Sequence, residues 1–176
     1  GCGGITNGTV TNFSINASNV SVCYGASATL NASTAGTLPA GGVTIIWYDA
    51  IVAGNQLGTG STYSTGPLTT TTTYYVGTCP GTYRIPVTVT VNPLPTPTIT
   101  ATSPVCVSAA AFNLSASPTG GTWSGTGITN ASNGTFSPST AGTGTFTITY
   151  SYTDGNGCTG TTTAQQIVNP AGTASI

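Results

Sequence analysis

The sequence predicts an all-β protein built from two tandem antiparallel β-sandwich domains in an extended arrangement. Three observations support this prediction: a composition suited to strands and turns, an alternation of apolar and polar residues, and one internal repeat. Thr occurs 39 times and Ser 17 times among the 176 residues, and 25 Gly and 11 Pro punctuate the chain. The larger apolar residues are mostly Val, Ile, Tyr and Phe, which favour strands.

Alternation with a period of two residues predicts the individual strands. Near the end of the first half, three Val residues alternate with two Thr residues over 87–91. In the second half, Phe146, Ile148, Tyr150 and Tyr152 alternate with Thr and Ser. Each pattern is typical of a half-buried strand in an antiparallel sheet, and about seven such strands fit each half. Trp47 and Trp123 are the largest side chains in these patterns, so we expect both in the domain cores.

The chain contains one repeat of about 80 residues, a size typical of a small sandwich domain. The markers of this repeat are Val91-Asn92-Pro93, which recurs as Val168-Asn169-Pro170, and two Cys positions in each half. The predicted organisation is a strand-like extension at 1–15, a sandwich at 16–92, a linker at 93–97, a sandwich at 98–169 and a strand-like tail at 170–176. Three prolines at alternate linker positions favour a stiff, extended connection.

Five cysteines leave one unpaired. Pairing Cys23 with Cys79 and Cys106 with Cys158 treats both copies of the repeat alike, so we predict those two disulfides. Disulfides of this kind indicate an oxidising, extracellular location. Buried free thiols are the alternative interpretation. Cys2 is then left to join chains.

The chain is almost uncharged. Asp49, Arg84 and Asp154 are its only ionic side chains, and it has no His, whereas a soluble protein usually has about a quarter charged residues. General acid–base catalysis, imidazole metal sites and phosphate binding all need groups that are scarce or absent here. We therefore expect no enzyme, catalytic residue, cofactor, metal site or nucleic-acid partner. No apolar window is long enough to predict a membrane span.

Both ends of the sequence look like strands without a domain of their own. Residues 1–15 are similar to the segments that follow Cys79 and Cys158, and residues 171–176 are similar to the opening of a repeat. The chain is then either a piece of a longer array or a subunit whose terminal strand adds to a neighbour's sheet. Both arrangements run head to tail, because a contact that does not close produces a filament. Frayed termini are the third interpretation.

The sequence also contains candidate sites for sugars. Eight Asn-x-Ser/Thr triplets occur, which is roughly twice the number expected from composition, and they begin at Asn7, Asn12, Asn16, Asn19, Asn31, Asn113, Asn130 and Asn133. The Thr run at 69–73 is a candidate for O-linked sugars. A strand face composed of Asn, Ser and Thr generates such triplets without any sugar, because residues i and i+2 share a face.

Several motifs resemble immunoglobulin-like repeats of large secreted and surface proteins in Bacteroidota-type bacteria. In the first half they are Val22-Cys23-Tyr24-Gly25 and Val91-Asn92-Pro93-Leu94-Pro95; in the second half they are Pro104-Val105-Cys106, Gly120-Gly121-Thr122-Trp123-Ser124-Gly125 and Asp154-Gly155-Asn156-Gly157-Cys158. The resemblance covers about residues 20–170. It implies an immunoglobulin-like sandwich in each half and a role in stalks, adhesins or appendages, or as a spacer on secreted hydrolases.

These observations favour a structural subunit of an extracellular, cell-surface filament or adhesin stalk. Its partners would be copies of itself and covalent glycans. The scarcity of charge fits this function, because edge strands would lack the Lys and Glu that normally block pairing. The alternative is a carbohydrate- or surface-binding adhesin module, or a spacer. Tyr24, Tyr48 and Tyr83 fall outside the alternation and are the aromatic candidates for binding.

Overall fold

The computed structural model describes residues 12–79 and 83–172. The chain divides into two compact units, Gly1–Pro93 and Leu94–Ile176, which we call the first and second domains. The boundary lies at the start of the predicted linker. Each domain consists almost entirely of strands, and the predicted all-β tandem sandwich class is confirmed.

The first domain has eight strands in two sheets. They are β1 (Phe13–Ala17), β2 (Val20–Cys23), β3 (Thr29–Gly36), β4 (Thr44–Tyr48), β5 (Gln56–Thr59), β6 (Thr62–Ser64), β7 (Thr72–Cys79) and β8 (Arg84–Asn92). One sheet has the order β1-β3-β6, and the other has the order β2-β8-β7-β4-β5. The first strand of the fold is therefore split, with β1 in one sheet and β2 in the other.

The core of the first domain lies between these sheets. Trp47 is fully buried, as predicted, together with Leu30, Val76, Val87 and Val89. These residues come from the alternating positions of their strands, so burial of one face drives the pairing of each strand. The Trp47 indole nitrogen donates a hydrogen bond to the carbonyl oxygen of Gly60 at 3.0 Å, which satisfies its polar group inside the core.

The second domain has nine strands and one short helix. They are β9 (Thr98–Ile99), β10 (Val105–Cys106), β11 (Phe112–Asn113), β12 (Ala116–Ser117), β13 (Thr122–Ser124), β14 (Ile128–Asn130), β15 (Thr135–Phe136), α1 (Pro138–Ala141), β16 (Gly144–Thr153) and β17 (Thr159–Asn169). The main sheet has the order β10-β17-β16-β13. Strands β11-β15-β14 and β12-β9 form the opposing layer.

The second core is built around an aromatic pair. The rings of Trp123 and Tyr150 lie 4.6 Å apart at 49°, and Phe136 and Ile148 are buried beside them. The Tyr150 hydroxyl donates to the carbonyl oxygen of Pro118 at 2.6 Å and accepts from the amide of Gly121 at 2.7 Å. Trp123 is therefore a core residue, as predicted.

Two strand pairs in this fold are parallel, and they determine where the chain enters and leaves each domain. Strand β2 pairs in parallel with β8, and β10 pairs in parallel with β17. The second strand of each domain, β2 or β10, therefore runs in the same direction as the last strand, β8 or β17. We call the end of each domain where its last strand finishes the trailing end, and the opposite end the leading end.

The predicted extension at 1–15 is wrong at its C-terminal boundary. Strand β1 begins at Phe13 and pairs with β3, and Ile15 is buried in the first core. Residues 13–15 therefore belong to the first domain, because they pair with β3 and Ile15 completes its core. Residues 1–11 lie outside the described part of the chain, as do residues 173–176 of the predicted tail.

The predicted linker is partly integrated into the second domain. Residues 93–97 form no strand, as expected from their prolines. Pro97 is nevertheless buried, and the backbone of Pro95 lies directly against Gly160 of β17. A β-carbon at Gly160 would overlap the carbonyl oxygen of Pro95. The absence of a side chain at this position therefore allows the linker to pack on the domain.

We predict that Gly160→Ala destabilises the second domain by about 1–3 kcal/mol, the usual range for overpacking. The free energy of unfolding in urea measures the effect. Gly155→Ala is the matched control, since a β-carbon there meets nothing within 4 Å, and it should leave stability almost unchanged. Equal stability of the two variants would contradict the packing of Pro95 on Gly160.

Candidate functional site

Two of the three charged side chains hold one loop of the first domain. The Asp49 carboxylate accepts hydrogen bonds from the backbone amide of Asn55 at 2.6 Å and from its side-chain amide at 2.8 Å. The Arg84 guanidinium lies 3.3 Å from the centre of the Tyr48 ring and donates to the carbonyl oxygen of Ala50 at 2.5 Å. Both ends of the connection between β4 and β5 are thereby fixed.

This connection, residues 49–55, presents two large aliphatic side chains to solvent. Ile51 is 55% exposed and Val52 is 76% exposed. Ala53 has a φ of 58°, a left-handed conformation that is unfavourable for a residue other than Gly. The 49–55 loop is thus a rigid, strained segment that exposes apolar surface. This loop was not predicted, although one of the three charges, Asp49, stands two residues before an Ile-Val pair in the sequence.

The third charge holds a hairpin of the second domain. The Asp154 carboxylate accepts hydrogen bonds from the backbone amides of Asn156 and Cys158, both at 2.9 Å, in the turn between β16 and β17. All three ionic groups therefore bind backbone groups of their own domain. Within residues 12–79 and 83–172, no cluster of three His, Cys, Asp or Glu residues offers a metal site.

The predicted pairing of Cys23 with Cys79 is wrong, because the two residues lie at opposite ends of their sheet. Cys23 lies opposite Asn92, at the last residue of β8. Cys79 lies two residues beyond Gly77, which is opposite Arg84 at the first residue of β8. The length of β8 separates them by about 26 Å, whereas a disulfide needs Cα atoms about 4.4–6.8 Å apart.

The predicted pairing of Cys106 with Cys158 is wrong for the same reason. Cys106 lies opposite Asn169 at the trailing end of β17, and Cys158 immediately precedes β17 at the leading end. Cys106 is an exposed free thiol, while Cys158 is disulfide-bonded, as are Cys23 and Cys79. Cys2 lies outside the described residues. The repeat therefore placed equivalent cysteines correctly but did not identify their partners.

The three tyrosines proposed for binding do not form one platform. Tyr24 and Tyr83 are each 53% exposed, but Tyr24 is at the trailing end of the first domain, and Tyr83 precedes β8 at its leading end. Tyr48 is only half-exposed, with Arg84 stacked on its ring. Tyr74 is partly buried against the first core, and burial and then the neighbouring Tyr63 raise its pKa.

Seven of the eight candidate glycosylation sites are described, and all seven asparagines are exposed: Asn12, Asn16, Asn19, Asn31, Asn113, Asn130 and Asn133. Asn7 lies outside the described residues. The carbonyl oxygen of the Asn19 side chain accepts from the backbone amide of Thr88 at 2.8 Å. This bond does not engage the amide nitrogen, which is the atom that an N-linked sugar modifies. The position is therefore chemically open to modification.

Strand geometry alone also accounts for some of these triplets. Asn31 and Ser33 are exposed on one face of β3, while Ala32 between them is buried at 6%. The same pattern produces a larger hydroxyl-rich face on the second domain. There, Thr145 and Thr147 of β16 and Thr161 and Thr163 of β17 are exposed. The outward surface of both sandwiches is hydrated by hydroxyl and amide groups.

The outermost strands carry no charge. In the described residues, the sheet edges are β1, β2, β5 and β6 in the first domain and β10 and β13 in the second, together with the short layer strands. None contains Lys, Arg, Asp or Glu. Charged residues are the usual protection of an edge against pairing with another chain. These edge strands lack that protection, and none exceeds five residues.

Comparison with known proteins agrees with the sandwich topology of the first domain. Residues 11–93 match the family described as the Ig-like domain CHU_C associated. This match covers 83 of the 176 residues, just under half of the chain, and shows that the first domain is similar to this family. The match supports the resemblance to Ig-like repeats that the sequence motifs implied. Ig-like domains of this kind are related to those of surface and multi-domain proteins and are typically non-catalytic.

Solved structures with tandem domains are similar at low identity. An I-band fragment of titin, I67–I69, has a TM-score of 0.43 and 13% identity over 91% of this chain, which spans 66% of that fragment. The Clostridium thermocellum CbhA fibronectin(III)-like modules have a TM-score of 0.41 and 12% identity over 89% of this chain and 95% of theirs. At these low TM-scores the comparison supplies no argument, and the assignment of the fold rests on the strand topology described above. No curated protein sequence matches the chain.

We predict that Arg84→Lys and Arg84→Ala both loosen the 49–55 loop, because neither side chain reproduces a planar group stacked on Tyr48. The expected loss is about 1–2 kcal/mol in the free energy of unfolding, with faster cleavage by a protease that cuts at aliphatic residues in this loop. Thr90→Ala, an exposed change on the same strand face, is the control. Unchanged cleavage in both Arg84 variants would contradict the anchoring role.

Proposed function

We propose that the chain is a structural repeat of an extracellular bacterial filament or adhesin stalk that assembles head to tail. The observation that carries this proposal is the parallel pairing of an early strand with the last strand in each domain, β2 with β8 and β10 with β17. Within each domain the chain therefore enters at one end of the sandwich and leaves at the other, a course that suits domains joined head to tail. Antiparallel first and last strands would instead return the chain to the same end.

The chemistry of the surface supports the same function. The three charges are engaged with backbone groups inside their own domains, so they supply neither a catalytic pair nor strong repulsion between copies. Disulfide-bonded cysteines support an extracellular location. Among the described residues, no helix has the length and apolar character to cross a membrane.

Head-to-tail contact by strand addition is the assembly mode that we favour. Each domain offers short, uncharged edge strands, and backbone hydrogen bonds at such edges accept an added strand without a specific side-chain code. Since residues 13–15 already belong to β1, a donated N-terminal strand would have to come from residues 1–11. The C-terminal segment 170–176 is the other candidate donor.

A binding function is the second candidate, and the 49–55 loop favours it. A rigid segment that exposes Ile51 and Val52 is suited to contact an apolar or amphipathic surface. In this alternative the chain is an adhesin module or a spacer that presents the loop. Its predicted aromatic platform loses support, because Tyr24 and Tyr83 lie at opposite ends of the domain.

We expect negative-stain electron microscopy of the native protein to show filaments or stalks with an axial repeat of two domains. Dispersed particles that bind a glycan array or a surface would instead favour the adhesin alternative. Replacing Ile51 and Val52 by Ser separates the two functions, since these side chains are not in the core. Filaments should persist in this variant, whereas adhesion through the loop should be lost.

We also propose that the exposed Asn sites carry glycans, which supply hydration without charge. We expect the intact mass of the protein from its native source to exceed that of the bare polypeptide by one or more sugar masses. The mass of a sample made in a host without glycosylation is the control. Identical masses would exclude both the N-linked and the O-linked sites.

A further inference from the structure

Cys106 occupies the same structural position in the second domain as Cys23 occupies in the first. Each lies in the short strand that runs parallel to the last strand, opposite the Asn at which that strand ends. The carbonyl oxygen of Cys23 accepts from the amide of Ala26 at 2.9 Å, and that of Cys106 accepts from Ala109 at 2.9 Å. The two cysteines therefore share one backbone setting at the trailing ends of their domains.

The two positions differ in the state of the sulfur. Cys23 is disulfide-bonded, so this position of the repeat is one that receives a sulfur partner. Cys106 is an exposed free thiol. Cys158, at the far end of the same sheet, is too distant to be its partner and is itself bonded. The second domain thus presents at its trailing end a thiol in a setting where the first domain has a disulfide.

We propose that Cys106 is an intermolecular disulfide site whose partner is Cys79 of a second copy of this chain. The inference rests on the head-to-tail assembly proposed above. In such an assembly the trailing end of the second domain of one copy meets the leading end of the first domain of the next. Cys79, half-exposed at the end of β7, lies at that leading end.

The reaction is a thiol–disulfide exchange that requires no external oxidant. Cys79 is already disulfide-bonded within its own chain. The Cys106 thiolate attacks the sulfur of Cys79 in the next copy, one S–S bond forms and one breaks. The former partner of Cys79 leaves as a thiolate and takes up the proton that Cys106 lost. The exchange converts a non-covalent contact into a covalent one.

The test uses filaments of the native protein, alkylated with iodoacetamide and dissolved in SDS without reductant. We expect a ladder of covalent multimers on the gel that collapses to monomer after reduction, and its complete loss in Cys106→Ser. Digestion must use a protease that cuts after aromatic residues, because the chain has one Arg and no Lys for trypsin. Mass spectrometry should then find the Cys106 peptide linked to the Cys79 peptide.

The control moves the thiol away from the trailing end. The double variant Cys106→Ser with Ser33→Cys places it on an exposed face of β3, and it should give no ladder. A ladder from this variant, a Cys106–Cys106 link, or alkylated Cys106 in filaments would each overturn the disulfide proposal. Filaments with alkylated Cys106 leave the proposed function intact, whereas the absence of any filament or stalk contradicts the proposed function itself.

Discussion

The parallel pairing of an early strand with the last strand is the constraint on which each domain depends. It places β2 beside β8 and β10 beside β17, although every other strand pair in the described residues is antiparallel. Because the split first strand contributes to both sheets, it closes one side of the sandwich and fixes the direction of the chain. Because of this arrangement, the chain enters each domain at one end and leaves it at the other. For the same reason, Cys23 and Cys79 lie at opposite ends of the first domain.

The scarcity of charge acquires a specific meaning in the structure. Asp49, Arg84 and Asp154 each bind backbone groups. These three charges therefore stabilise loops and turns of their own domains, and the outer faces of the sheets are neutral. Those faces are hydrated by hydroxyl and amide groups, which neither repel a second copy nor select a charged ligand. The 49–55 loop, which exposes Ile51 and Val52, is held in place by two of the three charges.

The repeat predicted the positions of the cysteines but not their partners. Equivalence of Cys23 with Cys106 is visible in the sequence spacing and in the matching contacts with Asn92 and Asn169. Pairing requires knowing which end of a strand each residue occupies, and that depends on whether neighbouring strands are parallel or antiparallel. A pattern with a period of two residues reports the face of a strand but not its direction.

The sequence by itself determined the all-β class, the two domains, the buried Trp47 and Trp123 and the neutral surface, because these follow from composition and local alternation. Only the tertiary structure decided that β1 begins at Phe13, that Pro95 packs on Gly160, and that Arg84 stacks on Tyr48. Each of these depends on contacts between residues distant in sequence. Local propensity specifies which side chains are buried, whereas strand order and direction specify which distant residues meet.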